Sequence, residues 1–320
     1  MSKSYSIPVR YHAVEDQGGG SMALKQVHLL LTYKCIYECD HCFVWSTPGA
    51  DATMSWKQLQ MIIEQAAEIP SVDWIYFEGG EPFLFYPLLV KGVQLAKQKG
   101  LKVGIVSNAY WATDEDDPSF WLDPFKGKVA DLSLSQDDYH GSGEAARKAE
   151  RARGAAERMR IPAQVLKLKR IECYAPGRVE DGEGGDLCFR GRAAVNLAPK
   201  ARKKAWKRMT TCPEDPPHIE RVHVDPYGNV QFCQGMTLGN LWQRSLKEIM
   251  DDLVPEKHPI IGPLMRGGPA QLAQEAGITP RRRYADPCHL CYDVRCSLRA
   301  KGRMKGILGP GQVYGEENVQ

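Results

Sequence analysis

"LTYKCIYECDHCFVW", residues 31–45, places three cysteines in one short loop directly after an apolar run. Cys35, Cys39 and Cys42 have the spacing C-x3-C-x2-C. A closed tetrahedral metal site needs four ligands, so three thiolates leave one position open. His41 would complete a Cys3His zinc site by ligand count, but it directly precedes Cys42, and adjacent residues rarely both reach one ion from a tight loop. The alternative is a [4Fe–4S] cluster that keeps one iron free for a small ligand.

Short apolar runs alternate with helical patterns on both sides of this loop. Apolar side chains at helical spacing predict helices over 54–68, which Thr53 would cap, over 87–99 and over 143–160. Alternating strands and helices indicate an α/β fold with right-handed βαβ units and a parallel sheet or barrel. Such folds carry their chemistry at the C-terminal ends of the strands. The predicted strands are 27–33, 74–79, 102–108, 129–135 and 163–171.

Length, charge and cysteine content narrow the class of protein. With 320 residues, the chain is long enough for one large α/β domain or two moderate ones. Its net charge of +3 is too small to indicate a nucleic-acid partner, and no apolar run approaches the length of a membrane span. The N-terminus lacks a secretory segment, which predicts a cytoplasmic location. In that reducing compartment, 10 cysteines indicate metal ligation or catalysis rather than disulfides.

A second group of cysteines lies in the last third of the chain. Cys212 and Cys233 frame the pattern C-x15-G-x4-C, and Cys288 and Cys291 form C-x2-C. Four thiolates close a metal site completely, as zinc or as an iron–sulfur cluster. "RVHVDPYGNVQFC" predicts a hairpin and "NLWQRSLKEIMDD" a helix, after a domain boundary near 190–210. Two further cysteines stand apart and are predicted to be buried free thiols, namely Cys173 and Cys188.

The second predicted strand ends in "FEGGEPFL", which contains Gly79, Gly80, Glu81 and Pro82. Two adjacent glycines allow the backbone to approach a ligand closely. With the cysteine loop after the first strand, this GGEP motif resembles the radical S-adenosylmethionine (SAM) enzymes. The resemblance implies a partial (βα)6 TIM-type barrel over 22–195. It also implies a [4Fe–4S] cluster on the three loop cysteines, SAM on its open iron, and GGEP beside the SAM amino group.

The same resemblance suggests further SAM-binding residues. Ser107 and Asn108 end the third strand, and Ser135 and Asp137 end the next, where related enzymes hold the SAM ribose and carboxylate. Turn capping explains these four residues equally well. Arg170 would pair with the SAM carboxylate in bidentate fashion, or be a surface charge. His41 stands where the family often has Tyr or Phe, and its ring would stack on adenine.

The C-terminal cysteines resemble a SPASM/Twitch extension, which implies a small Twitch-like iron–sulfur domain over 196–320. The full SPASM pattern, C-x2-C-x5-C-x3-C, carries two extra clusters. Here Cys296 follows after four residues and Ala300 occupies the next place. We therefore expect one auxiliary [4Fe–4S] cluster with Cys296 as a further candidate ligand. The four main ligands are Cys212, Cys233, Cys288 and Cys291.

The resemblance implies a reaction but leaves the substrate open. A reducing partner such as flavodoxin or ferredoxin would supply an electron that cleaves SAM to a 5′-deoxyadenosyl radical, and the radical would abstract hydrogen from a peptide or protein in an oxidation or crosslink. The alternative is a dehydrogenase or epimerase of a small sugar-like molecule. A non-enzymatic iron–sulfur or zinc protein would explain both cysteine groups but not GGEP.

The N-terminus contains "GGGS" at 18–21, followed directly by Met22. This pattern is typical of an artificial flexible linker before a second start methionine, and equally of a natural Gly-rich turn. In the first case residues 1–17 would be a tethered substrate peptide. We would then expect Tyr5 or Tyr11 to lie nearest the ribose C5′ of SAM.

Overall fold

The computed structural model describes residues 23–136, 139, 143–167 and 187–316. No helix within these ranges has both the length and the apolar character needed to cross a membrane. Several predictions fall outside the described residues, namely the tethered peptide and linker at 1–21, the SAM-binding roles of Asp137 and Arg170, and the buried thiol of Cys173.

The described chain alternates strands and helices as the sequence predicts. The strands are β1 (Gln26–Thr32), β2 (Trp74–Gly79), β3 (Lys102–Ser107), β4 (Asp131–Ser135), β5 (Ala163–Leu166), β6 (Lys204–Ala205), β7 (Arg221–Val224), β8 (Asn229–Cys233), β9 (Met236–Asn240) and β10 (Arg283–Tyr284). The α-helices are α1 (Trp56–Ala67), α2 (Tyr86–Gln98), α3 (Asp117–Leu122), α4 (Gly143–Arg158), α5 (Arg192–Asn196), α6 (Leu246–Asp251), α7 (Ile261–Glu275) and α8 (Pro287–Ala300).

One mixed sheet organises the molecule, with the strand order β5-β4-β3-β2-β1-β7-β8-β9. Strands β1 to β5 and β7 are parallel to one another, whereas β8 is antiparallel to β7 and β9 is antiparallel to β8. The α/β fold with a mainly parallel sheet is thereby confirmed. The sheet crosses the predicted domain boundary between 195 and 196, because β7 pairs with β1 from Gln26↔Arg221 to Leu29↔Val224.

Strand β1 shows how the sequence builds the sheet. Val27, Leu29 and Leu31 alternate along the strand and join the main apolar core, together with Leu59 and Ile63 of α1. The intervening side chains face the other side of the sheet, since successive strand residues point to opposite faces. We call that other side the inner face.

The start of α1 differs from the prediction. Ser55, rather than Thr53, is the N-cap, and it forms a capping box with Gln58. Thr53 makes a different contact, because its hydroxyl lies 2.9 Å from the hydroxyl of Thr32 at the end of β1. This hydrogen bond connects the segment after the cysteine loop to the sheet.

The C-terminal region contains two further differences. The helix predicted from "NLWQRSLKEIMDD" covers only Leu246–Asp251, because Ser245 caps the helix there and Met236–Asn240 forms strand β9. Cys288 and Cys291 lie in the first turns of α8, for which the sequence analysis predicts no helix. The Asp286 side chain accepts from the backbone N–H of His289 at 2.7 Å and thus caps this helix.

The two glycines at the end of β2 pack against the chain that enters the cysteine loop. A Cβ at Gly79 would lie 2.4 Å from the carbonyl oxygen of Thr32, and one at Gly80 would lie 2.1 Å from that of Lys34. Real Cβ atoms do not approach backbone oxygens so closely, so these positions exclude any larger residue. The sequence predicts a close approach here, and the approach is made by the chain's own backbone.

We expect Gly80→Ala to destabilise the fold by about 1–3 kcal/mol, because overpacking against backbone atoms forces the strand end to shift. The measurement is thermal unfolding followed by circular dichroism. Gly306→Ala is the matched control, since no atom lies within 4 Å of its added Cβ. Equal melting temperatures for the two variants would contradict the packing described here.

Candidate functional site

The cysteine loop begins at the C-terminal end of β1. Within the loop, backbone N–H groups lie close to the cysteine sulfur atoms. Cys35 and Cys39 are buried, and Cys42 is half-buried. The backbone N–H of Tyr37 lies 3.4 Å from Cys35 Sγ, and that of Ser46 donates to Cys42 Sγ at 3.3 Å. Hydrogen bonds to sulfur stabilise thiolates and tune iron–sulfur clusters, so the donors fit a cluster-binding loop.

Burial raises the pKa of the Cys35 thiol to about 12, and the nearby negative groups of Glu81 and Cys42 act in the same direction. Hydrogen bonding from Tyr37 opposes this shift only in part. A thiolate at this position therefore requires a compensating cation. Iron ions bound by the loop would supply that charge, which is consistent with the donor set.

Glu81 joins the ends of two neighbouring strands. Its side chain is fully buried, at 0 % exposure. One carboxylate oxygen accepts from the Phe83 N–H at 3.0 Å and from the Ser107 hydroxyl at 3.0 Å, and the other accepts from the Asn108 N–H at 2.7 Å. The glutamate of GGEP thus fixes the end of β2 to the end of β3.

The same network reaches the cysteine loop. The Asn108 side-chain amide lies 3.6 Å from Cys35 Sγ. The N–H of Gly80 donates to the Thr32 carbonyl at 2.7 Å, and the N–H of Glu81 donates to that of Lys34 at 2.9 Å. The structure therefore brings the cysteines, the GGEP motif and the end of β3 together. Their contacts with SAM stay a prediction.

Arg192 of α5 holds the loop from the other side, and the sequence analysis missed it. Its guanidinium donates to the carbonyls of Cys39 at 2.9 Å and Ser46 at 2.8 Å. Its backbone N–H donates to the carbonyl of Cys42 at 2.8 Å. No motif or spacing marks this arginine, because it lies far from the loop in sequence.

The remaining predicted SAM-binding residues are spread around this edge of the sheet. Pro82 opens a 3-10 turn over Pro82–Phe85 and is buried. Ser135 ends β4. The His41 ring lies 5.1 Å from the ring of Tyr139, measured between centroids. Stacking of His41 on adenine stays a prediction.

The C-terminal thiols also gather in the structure. Burial raises the pKa of Cys212, and the nearby charges of Cys291 and Cys233 raise it further. Cys233 ends β8, and Cys291 lies on α8. Two distant segments thus place three of the predicted ligands close together.

Cys188 joins this group, although the sequence analysis set it apart. The ligand atoms of Cys188, Cys288 and Asp286 lie within 4.8 Å of one another. A hydrogen bond from Cys288 lowers the pKa of Cys188 despite burial. No spacing pattern marks Cys188. It follows a Gly-rich segment of the sequence, and such a segment does not indicate where the next residues lie in the fold. The structure places a fifth thiol beside the predicted four.

Arg190 is a buried cation beside the C-terminal thiols. One guanidinium nitrogen donates to Cys233 Sγ at 2.9 Å and to Glu214 at 2.7 Å. Burial opposes ionisation of Glu214, but the charges of Arg190 and Arg221 outweigh it and lower its pKa to about 2. The positive charge of Arg190 would therefore stabilise a thiolate at Cys233.

Cys296 lies further along α8. Burial raises the pKa of its thiol to about 11, while Arg295 and a hydrogen bond with Tyr292 act in the opposite direction. Its role as an additional ligand stays a prediction.

The inner face of the sheet is polar. Tyr76 stacks on His28 at 4.5 Å between ring centroids and donates to Asp131 at 3.2 Å. His223 Nδ1 lies 2.7 Å from Glu78 Oε1. The sequence analysis missed these residues, although each is a polar residue at an alternating position of a strand. These polar side chains distinguish the inner face from the apolar core on the other side of the sheet.

Comparison with known proteins supports the interpretation of the cysteine loop. Residues 29–133 match the family profile described as the Radical SAM superfamily. The match contains the three loop cysteines, the GGEP motif and the end of β3.

Three curated proteins are similar to parts of the chain. The putative peptide biosynthesis protein YydG of Bacillus subtilis is 27% identical over 117 residues, which are 36% of this chain and 37% of YydG. The cofactor-modifying protein of the tungsten-containing aldehyde ferredoxin oxidoreductase of Pyrococcus furiosus is 30% identical over 93 residues, 29% of this chain and 26% of that protein. The S-adenosylmethionine-dependent nucleotide dehydratase of Selenomonas ruminantium is 38% identical over 88 residues, 27% of this chain and 30% of the dehydratase. The similarity thus spans well under half of each relative.

Solved structures show a weaker likeness. BtrN in complex with AdoMet and 2-DOIA has 16% identity and a TM-score of 0.49, and the match covers 72% of this chain and 82% of BtrN. Native anSMEcpe with bound AdoMet and the Cp18Cys peptide has 15% identity and a TM-score of 0.48, with 85% and 95% covered. The sequence match to the Radical SAM superfamily over residues 29–133 is therefore the stronger of these findings.

Proposed function

We propose that this chain is a radical SAM oxidoreductase that acts on a peptide or protein, by an oxidation or crosslink. The observation that carries the proposal is the loop of Cys35, Cys39 and Cys42, fixed by Asn108 and Glu81 within a radical SAM domain. When bound to such a loop, a [4Fe–4S] cluster delivers one electron to SAM, which splits into methionine and a 5′-deoxyadenosyl radical.

The chain's own residues position this chemistry. Glu81 and Asn108 fix the cysteine loop against the strand ends, and Arg192 holds its outer carbonyls. A rigid frame of this kind keeps the reacting atoms in place at the C-terminal edge of the sheet. The inner face would receive the substrate, whose C–H bond must face that edge.

We further propose a partial (βα)6 barrel, formed by β1 to β5 and β7, that continues into a Twitch-like region with one auxiliary [4Fe–4S] cluster. The gathered thiols and the contact of Arg190 with Cys233 support this assignment. The substrate radical left after hydrogen abstraction becomes a closed-shell product by losing one electron and one proton, and a cluster held by these thiols would supply the acceptor for that electron. A flavodoxin or ferredoxin would supply the initial reducing electron. The proposed ligands are Cys212, Cys233, Cys288 and Cys291, with Cys296 as a further candidate.

Two classes of substrate are candidates, and a peptide is the one that we propose. One similar protein, YydG, carries the name of a putative peptide biosynthesis protein. A small sugar-like substrate is the second candidate, and the polar inner face with His28, Glu78 and Asp131 favours it. Deuterium transfer into deoxyadenosine from labelled peptides or labelled sugars would separate the two.

We expect the triple variant Cys35/Cys39/Cys42→Ala to keep its fold and lose SAM cleavage, because the cluster would bind to a loop outside the core. SAM cleavage is measured as production of deoxyadenosine and methionine in the presence of dithionite. The fold is checked by circular dichroism. Persistent SAM cleavage by a well-folded variant would refute the proposed reaction. A colourless zinc protein after anaerobic reconstitution would favour the non-enzymatic alternative.

The same triple variant should retain about four irons per chain at the C-terminal thiols. Adding Cys212→Ala and Cys291→Ala should remove them, since two adjacent ligands are then lost. Iron and acid-labile sulfide analysis tests both expectations. Iron near zero in the triple variant would show that the C-terminal site holds zinc or no metal.

A further inference from the structure

Three side chains of metal-ligating types meet on the inner face, and none of them is a cysteine. His28, Glu78 and His223 project from the adjacent strands β1, β2 and β7, and their ligand atoms lie within 4.8 Å of one another. His28 Nδ1 is 3.3 Å from Glu78 Oε2, and His223 Nδ1 is 2.7 Å from Glu78 Oε1. Both histidines are buried, at 2% and 5% exposure.

The surroundings of His28 determine where its ring carries hydrogen. Its Nε2 lies 3.1 Å from Oε1 of Gln26. With the Gln26 amide in this orientation, Nε2 carries the hydrogen in the neutral ring and Nδ1 has a lone pair, because an amide oxygen only accepts. This Nδ1 is buried and makes no hydrogen bond with the described residues. A lone pair and a carboxylate oxygen of Glu78 therefore face each other across 3.3 Å.

Two acceptors at this distance repel each other unless a cation lies between them. A metal ion bound by both atoms would provide that charge. The buried Nδ1 of His28, which has no hydrogen-bond partner among the described residues, is placed to ligate such an ion beside Glu78.

A second unsatisfied atom lies on the other side of the site. The Gln234 amide nitrogen is 3.3 Å from each ring nitrogen of His223, while its Oε1 is buried and has no hydrogen-bond partner among the described residues. A half-turn of this amide would bring Oε1 near both ring nitrogens of His223, where it can accept from an Nε2–H. In that tautomer, Nδ1 of His223 presents a lone pair toward Glu78.

We propose that His28, Glu78 and His223 bind one divalent transition-metal ion, zinc or iron(II), through two Nδ1 atoms and a carboxylate oxygen. Two imidazoles and one carboxylate form the ligand set of many catalytic zinc sites and of non-haem iron sites. Gln26 holds the opposite ring nitrogen of His28, as partners of metal-bound histidines commonly do, and Gln234 lies 3.3 Å from the ring nitrogens of His223.

Three protein ligands leave a coordination position open. Glu78 is the most accessible of the three, with 15% of its side chain exposed. The open position would face the substrate cavity and take an oxygen, nitrogen or sulfur atom of the substrate. Metal binding itself requires neither SAM nor the iron–sulfur clusters, so it can be tested independently of the proposed reaction.

Cobalt(II) is the probe. Protein with reconstituted clusters is equilibrated with Co²⁺ and desalted, and cobalt is counted by mass spectrometry. We expect about one cobalt per chain, with weak visible bands and without the intense near-ultraviolet bands of sulfur-bound cobalt. Glu78→Gln and His28→Gln should remove this cobalt. Gln26→Ala should weaken binding about 10–100-fold, as loss of an outer hydrogen bond commonly does.

His218→Ala is the matched control, because His218 is exposed and lies outside the site. It should bind cobalt as the wild type does. Wild-type protein without retained cobalt would overturn the proposal, and so would equal binding by Glu78→Gln, which would assign the metal to thiols. If His28→Gln fails to fold, the near-isosteric Glu78→Gln decides. Cluster assembly and SAM cleavage are measured on the same samples, so failure of the proposed reaction is recognised separately.

Discussion

The cysteine loop and the ends of β2 and β3 depend on one interaction, the hydrogen bonding of the buried Glu81 carboxylate. It accepts hydrogen bonds from Phe83, Ser107 and Asn108, and Asn108 in turn reaches Cys35. A carboxylate without exposure to water is stable only when such donors compensate its charge. Glycines next to it allow the strand end to approach the cysteine loop. One side chain thus sets the geometry of the predicted cluster loop relative to two strands.

The inner face raises a different energetic problem, because it places ionisable groups on buried strands. Asp131 is matched by hydrogen bonds from Tyr76 and Gln164. Closed parallel barrels fill their interior with branched apolar side chains. The inner face of this sheet instead carries polar side chains, whose burial costs stability unless their hydrogen bonds are satisfied.

Local signals in the sequence predict much of this arrangement. The apolar runs give β1 to β4 within about two residues, and the cysteine and GGEP motifs meet as expected, since parallel strands end at one edge. Contacts between distant segments were not predictable. Cys188, Arg190 and Arg192 carry no spacing signal, because their positions depend on how the chain after β5 returns to the sheet. Thr53 was mistaken for a cap, since its pairing with Thr32 is tertiary.

The pairing of β1 with β7 has a consequence for synthesis. Strand β1 ends at Thr32, and its second neighbour begins only at Arg221. At a translation rate of about 5–20 residues per second, this edge of β1 waits roughly 10–40 seconds for its partner. During that time "HLLLT" presents open hydrogen-bonding groups on a strongly apolar strand. The central strand of the finished sheet is thus an exposed edge in the nascent chain, and chaperone access during translation would govern the yield of folded protein.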